Sequence, residues 1–233
     1  SLSMWDAQIE ALTQHFQVLR YDTRGHGLSG TGSQSKVCGL ADLGNDVLRL
    51  LDHIGIERAH ICGVSLGGMT ALWLGLNAPQ RVMKVIAAAN AAHTEMPEFW
   101  NARIDTVRRE GMIALVDGVL ERFFGPAFHK ANATTIAAFR EEFVKTSSAG
   151  YIAGCEAIRD LDLRDALANM DAPTLALAGT QDMASPPANS LAIAQRIPDG
   201  YYAEIAASHL LNVEAPGAFN RAAIDFLTEA GSR

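Results

Sequence analysis

The stretch "HICGVSLGGMTALW", His60–Trp73, places a serine between two glycines, directly after an apolar run and directly before a helical one. A turn that only connects two elements has no need of that arrangement. Gly63-Val64-Ser65-Leu66-Gly67 fits G-x-S-x-G, in which the serine sits on a sharp strand-to-helix turn with its hydroxyl lifted above the sheet edge. The flanking glycines are expected to let neighbouring backbones approach where a Cβ would clash. The helix that follows aims its N-terminus at the same spot, so the backbone N–H of Leu66 can stabilise a developing oxyanion.

A serine hydroxyl needs a base, and the base needs an orienting acid. On a parallel sheet both are expected just beyond the carboxyl ends of later strands. The strand-like run "PTLALAG" (173–179) leads into "TQDMASPP", which places Asp182 there, and "YYAEIA" (201–206) leads into "ASHLLNVEAP", which places His209 there. The other histidines have plainer readings. His15 and His53 lie in amphipathic helices, His60 at a strand start and His26 in a turn, while His93 and His129 border or occupy a helical region away from any strand end. Asp162, Asp165 and Asp171 read as capping or surface residues, so Ser65, Asp182 and His209 form the expected catalytic set.

The pattern around the serine extends along the chain. "WDAQIEALTQHF" (5–16) has helical spacing and "QVLRY" (17–21) reads as a short strand; "LADLGNDVLRLLDHIG" (40–55) is an amphipathic helix closed by Gly55. "AHICGV", "LGGMTALWLGLNAP" and "VMKVIAAANA" then read as strand, helix and strand, which implies parallel pairing with helical crossovers. From about residue 95 to 170 the pattern is nearly all helical: "FWNARIDTVRREGM", "IALVDGVLERFF", "TTIAAFREEFVKTSS" and "YIAGCEAIRDL", with Gly125-Pro126 punctuating the middle. Strands resume at "PTLALAG", followed by helix "ANSLAIAQRI", strand "YYAEIA" and closing helix "GAFNRAAIDFLTEA" (217–230). The expectation is a mostly parallel α/β sheet with helices on both faces, its core formed by residues 1–94 and 171–233, interrupted by a helical cap over 95–170.

Composition limits the function. The 233 residues carry a net charge of −7, with 48% apolar and 19% charged residues, so no basic surplus exists to meet nucleic-acid phosphates. No apolar run reaches membrane-spanning length, and the start does not resemble a signal peptide. Three scattered cysteines, Cys38, Cys62 and Cys155, form neither a metal motif nor a disulfide framework, and a cytoplasmic setting is expected. Cys62 and Cys155 read as small buried hydrophobes.

These residues resemble the α/β-hydrolase superfamily, whose members carry the triad in the order serine, acid, histidine. "YDTRGHGLS" (21–29) looks like that superfamily's D-x-R-G-x-G-x-S turn, in which Asp22, Arg24 and His26 would hold the loop beside the active site. "MWDAQIEALTQHFQVLRYDTRGHG", "GVSLGGM", "LALAGTQDMASPP" and "HLLNVEAP" are most similar to the 3-oxoadipate enol-lactonases of the β-ketoadipate pathway, over nearly the whole chain. In that family earlier strands and a loop with a second oxyanion donor precede the pattern that begins here at "SLSMWD", so such residues are expected upstream of Ser1. The resemblance implies acyl transfer from a small carboxylate-bearing lactone to water, without cofactor or metal, and a cap that selects the substrate. Trp100, Met183 and Leu210 are the expected pocket residues. Arg103, Arg108, Arg122, Arg140 and Arg159 are the candidate donors for the carboxylate, and the sequence does not choose among them. A carboxylesterase or cofactor-free perhydrolase with the same triad ranks second, and a non-catalytic receptor on the same scaffold third. Oligomeric state is not legible.

Overall fold

The computed structural model describes residues 1–32, 38–94 and 96–229. In chain order, helices α1 (Asp6–Leu12) and α2 (Leu40–His53) precede strand β1 (Ala59–Val64), helix α3 (Leu66–Asn77) and strand β2 (Val82–Ala88). Five helices follow: α4 (Pro97–Glu110), α5 (Val116–Phe123), α6 (Pro126–Ala131), α7 (Ala133–Lys145) and α8 (Ser148–Arg159). The chain then returns to strand β3 (Thr174–Gly179), helix α9 (Pro187–Arg196), strand β4 (Gly200–Ile205) and helices α10 (Leu211–Glu214) and α11 (Pro216–Thr228).

Among the described residues the four strands form one parallel sheet in the order β1-β2-β3-β4. The register sets Val64 beside Ala88, Ala88 beside Leu177, and Gly179 beside Ile205. All four carboxyl ends therefore open along one edge, the position where parallel sheets place their sites.

Alternation along the central strands sorts the core into two layers. Ile86, Ala88, Leu175 and Leu177 pack on one face with Phe219 and Phe226 of α11 and with Val116 and Leu120 of α5. Val85, Ala87 and Ala176 pack on the other with Leu72 and Leu74 of α3 and Ile193 of α9. Every residue of β3 is buried, as a strand covered on both faces must be. A third cluster joins Leu40 and Leu43 of α2 to Met69 of α3 and Ala157 of α8, tying the inserted helices to the sheet layer.

Two expectations change. Gln17–Tyr21 is not a sheet strand. A strand is defined by a paired neighbour, and this stretch is anchored instead by side chains: Arg20 donates to the Leu2 carbonyl at 3.2 Å, and the next residue, Asp22, accepts from the Leu2 and Leu28 amides at 2.7 and 3.0 Å. The second strand ends at Ala88 rather than Ala91, because Ala89 takes a left-handed φ of 48° that breaks the extended path. The Gly125-Pro126 break opens helix α6, with Pro126 in its first turn, where a missing N–H costs nothing. The expected cap boundary at residue 95 and the last expected helical residue, Ala230, lie outside the described residues.

Candidate active site

Ser65 occupies the turn between β1 and α3 with φ 55° and ψ −120°, a conformation that costs a side-chain-bearing residue about 1–3 kcal/mol. The strain is held by neighbours. The Ser65 amide donates to the Ala88 carbonyl at 2.8 Å, and its own carbonyl accepts from Met69 at 3.0 Å. Leu66 opens α3, so its amide is one of the N-terminal donors a helix leaves without an internal partner.

The glycines divide their work differently from the expectation. A Cβ on Gly63 would fall 2.6 Å from the Gly68 amide nitrogen, so this position must be bare. A Cβ on Gly67 would meet nothing within 4 Å, because Gly67 lies on the wall of an open cavity. The close approach on the far side is made by Gly68 instead, where a Cβ would sit 3.0 Å from the Asn90 side chain.

Asp182 and His209 come from the ends of neighbouring strands and meet. The His209 Nδ1 lies 2.8 Å from Asp182 Oδ2, with only 4% of the histidine and none of the aspartate side chain exposed. The other carboxylate oxygen, Oδ1, accepts from the amides of Ala184 and Ser185 at 2.7 and 2.8 Å. Both carboxylate oxygens are thus oriented, one by backbone amides and one by the imidazole, and a proton on Nδ1 leaves Nε2 as the ring's basic face.

The strand ends are brought together beyond the sheet itself. Thr180 and Gln181 donate to the Ile205 and Ala207 carbonyls at 2.9 and 3.0 Å, extending the β3–β4 pairing into the loops. Gly179 makes this possible, since a Cβ there would fall 2.6 Å from the Ala207 carbonyl oxygen. Glu214 then fixes the histidine loop to the inserted helices, accepting from the Ser208 amide at 3.0 Å and the Gly125 amide at 3.4 Å. On the opposite side, the fully buried Gln8 donates to the Asn212 carbonyl at 2.8 Å, and Asn212 donates back to the Met4 carbonyl at 2.8 Å. Sequence reasoning missed Gly179, Gln8 and Glu214; for the last, the short "HLLNVE" spacing was the available signal.

Ser65, Leu66, Trp100, Leu210 and His209 all line one open cavity of about 1420 Å³ that runs from helices α4, α5 and α8 along β1 and α2. Met183 also reaches its wall but is 76% exposed, which puts it at the mouth. Leu210 is buried, and the Trp100 indole donates to Thr94 at 3.0 Å, so its ring is held in place. His93, read from the sequence as distant from any strand end, lies on the same wall, and its backbone bridges to Asp162.

The turn after residue 21 borders the cavity through His26. Arg24 grips Asp46 through two bonds of 2.6 Å. Gly25, with φ +73°, packs so closely on Gly150 of α8 that a Cβ would reach its amide at 3.2 Å. Burial pushes the His26 imidazole down from its ordinary value. Burial also pushes the thiols of Cys62 and Cys155 up to about 12 and about 11, so neither is a thiolate at neutral pH.

A family model described as the alpha/beta hydrolase fold matches residues 1–216. The chain belongs to the α/β-hydrolase family. Two relatives from Acinetobacter baylyi are named 3-oxoadipate enol-lactonase 2 and 3-oxoadipate enol-lactonase 1. They are 36% identical over 95% of this chain and 82% of theirs, and 37% identical over 93% and 80%. The crystal structure of the enol-lactonase from Burkholderia xenovorans LB400 superposes with a TM-score of 0.95 at 41% identity, covering 98% of this chain and 87% of that one. In this hydrolase the doubly covered sheet supplies the scaffold, and α4, α5, α7 and α8, between β2 and β3, contribute residues to the cavity wall.

Proposed function

We propose that this hydrolase opens a small carboxylate-bearing enol-lactone, 3-oxoadipate enol-lactone giving 3-oxoadipate, with Ser65, His209 and Asp182 as the catalytic triad. The observation that carries this reading is the Asp182-oriented His209 sharing one cavity with the strained Ser65 elbow. The relatives named as enol-lactonases direct the choice of substrate.

The steps follow from the residues. Ser65 Oγ attacks the lactone carbonyl carbon while His209 Nε2 takes its proton, and Asp182 stabilises the imidazolium. The Leu66 amide, at the positive end of α3, faces the tetrahedral oxyanion. Collapse breaks the acyl–oxygen bond of the ring, and His209 returns the proton to the departing enol oxygen, which tautomerises to a ketone. Water then attacks the acyl-serine carbonyl and gives a proton to His209; collapse breaks the acyl–Oγ bond, His209 returns that proton to Ser65, and the carboxylic acid leaves. Residues 95–170 act as a cap that excludes bulk water from these steps, and Trp100, Met183 and Leu210 line the substrate's path.

Hydrolysis of 3-oxoadipate enol-lactone compared with p-nitrophenyl butyrate tests the reading, with Ser65→Ala protein as the blank. Strong preference for the lactone, lost in the variant, is expected. Equal or better turnover of the simple ester would keep the serine chemistry and replace the lactonase by a general carboxylesterase.

A further inference from the structure

Helix α8 brings Tyr151, Gly154, Cys155 and Ile158 to the cavity wall, a spacing that puts them on one face of the helix. Three of these positions carry a side chain that fills space. Gly154 carries none, although it is buried, and a glycine inside a helix is less stable there than an alanine.

Among the described residues, packing accounts for the other buried glycines in helices. A Cβ on Gly44 would strike the Trp73 ring, and one on Gly75 the Met170 sulfur. One on Gly68 would lie 3.0 Å from the Asn90 side chain, and one on Gly150 would lie 2.5 Å from the Gly25 Cα. A Cβ on Gly154 would meet a single Leu66 methyl, at 3.2 Å, and no other atom beyond its own stretch of helix within 4 Å. The free end of a leucine side chain can give by the small amount this asks. Gly154 is therefore bare beside open space, not beside protein that excludes a side chain.

That space adjoins the reacting carbonyl. Leu66, whose methyl Gly154 meets, is the residue whose amide faces the oxyanion in the mechanism above. The departing oxygen takes its proton from His209, and the His209 ring is covered by Phe123 of α5. The leaving group thus lies on the α5 side, and the acyl chain runs the other way, toward α8. We propose that Gly154 determines acyl specificity: its missing side chain opens the space between α8 and Leu66 to the substrate's acyl chain, and the size of residue 154 sets the length of chain accepted. This rests on the hydrolase reading above and names the residue that measures the acyl group.

The test measures kcat/KM of wild type, Gly154→Ala and Gly154→Val on p-nitrophenyl acetate, butyrate and hexanoate, with urea unfolding of each protein. The hexanoate-to-acetate ratio should fall about tenfold in Gly154→Ala and about a hundredfold in Gly154→Val. Gly154→Ala should unfold at the wild-type urea midpoint or above it. Equal losses on the three esters, or an unchanged ratio in both variants, would overturn the proposal. A lowered midpoint in Gly154→Ala would do the same, by making the glycine a packing requirement. Methyl and hexyl butyrate vary the alcohol alone, and a loss that follows the alcohol would put the space on the leaving-group side and overturn the assignment. Calorimetric binding of hexanamide to Ser65→Ala protein, with and without Gly154→Val, is independent of turnover. Affinity that falls about tenfold or more in the Gly154→Val protein supports the acyl space even if the enol-lactone is not a substrate. Equal affinity, or no binding, overturns it even if the lactone is hydrolysed.

Discussion

The Phe123 ring lies stacked on the His209 imidazole, centroids 5.2 Å apart and planes 30° apart, and the Phe123 carbonyl accepts from the Leu210 amide at 3.0 Å. The last residue of α5 thus touches His209, the proposed general base, by its ring and the following Leu210 by its carbonyl, which ties this helix to the orientation of the imidazole. Phe123→Ala removes the ring and keeps the backbone bond. We expect kcat to fall about tenfold to a hundredfold through a loosened imidazole, with the protein still folded. Steady-state kinetics on an activated ester checks this, and an unchanged kcat would show that Asp182 alone orients the ring.

The Ser65 backbone separates function from stability. Its φ of 55° suits glycine, so Ser65→Gly should abolish hydrolysis and raise stability by about 1 kcal/mol. Ser65→Ala should abolish hydrolysis without that gain, because alanine keeps the steric cost. Urea unfolding of the three proteins compares them directly, and a Gly variant no more stable than the Ala variant would contradict the strain.

Glu214 joins the amides of Ser208 and Gly125. Glu214→Gln keeps one acceptor but loses the charge-assisted strength. It should lower kcat several-fold while leaving KM nearly unchanged, because it acts on the base's loop rather than on the substrate. A change confined to KM would assign Glu214 to the cap instead.

Burial pushes the imidazoles of His26 and His60 below their ordinary value of 6.5. The unfolded chain therefore binds protons that the folded chain refuses. The stability these neutral rings confer is fully present above about pH 6.5 and is lost as pH falls from there toward their folded values. The urea midpoint should drop between about pH 7.5 and about pH 5.5, where most carboxylates stay ionised. His26→Gln should drop less. An equal drop in both proteins would remove His26 from this account.

Much of the site can be read from local sequence. The apolar runs that end at Val64, Gly179 and Ile205 place Ser65, Asp182 and His209 at one sheet edge because parallel strands share a direction, and short loops keep their first residues near that edge. What escaped depends on partners distant in sequence. Gln17–Tyr21 has a strand's composition, but pairing is not a local property. Gly179 matters only because the Ala207 carbonyl crosses it. The five candidate arginines look alike on amphipathic helices. Only the fold shows that Arg108, Arg140 and Arg159 meet acids while Arg103 and Arg122 meet rings and the cavity.

The nucleophile assignment is tested most directly by brief exposure to a fluorophosphonate, which captures an activated serine, followed by peptide mapping by mass spectrometry. One adduct per chain on Ser65, absent after unfolding and strongly slowed in His209→Ala, is the predicted result. An adduct on another residue, or none in protein that still hydrolyses esters, would contradict the triad.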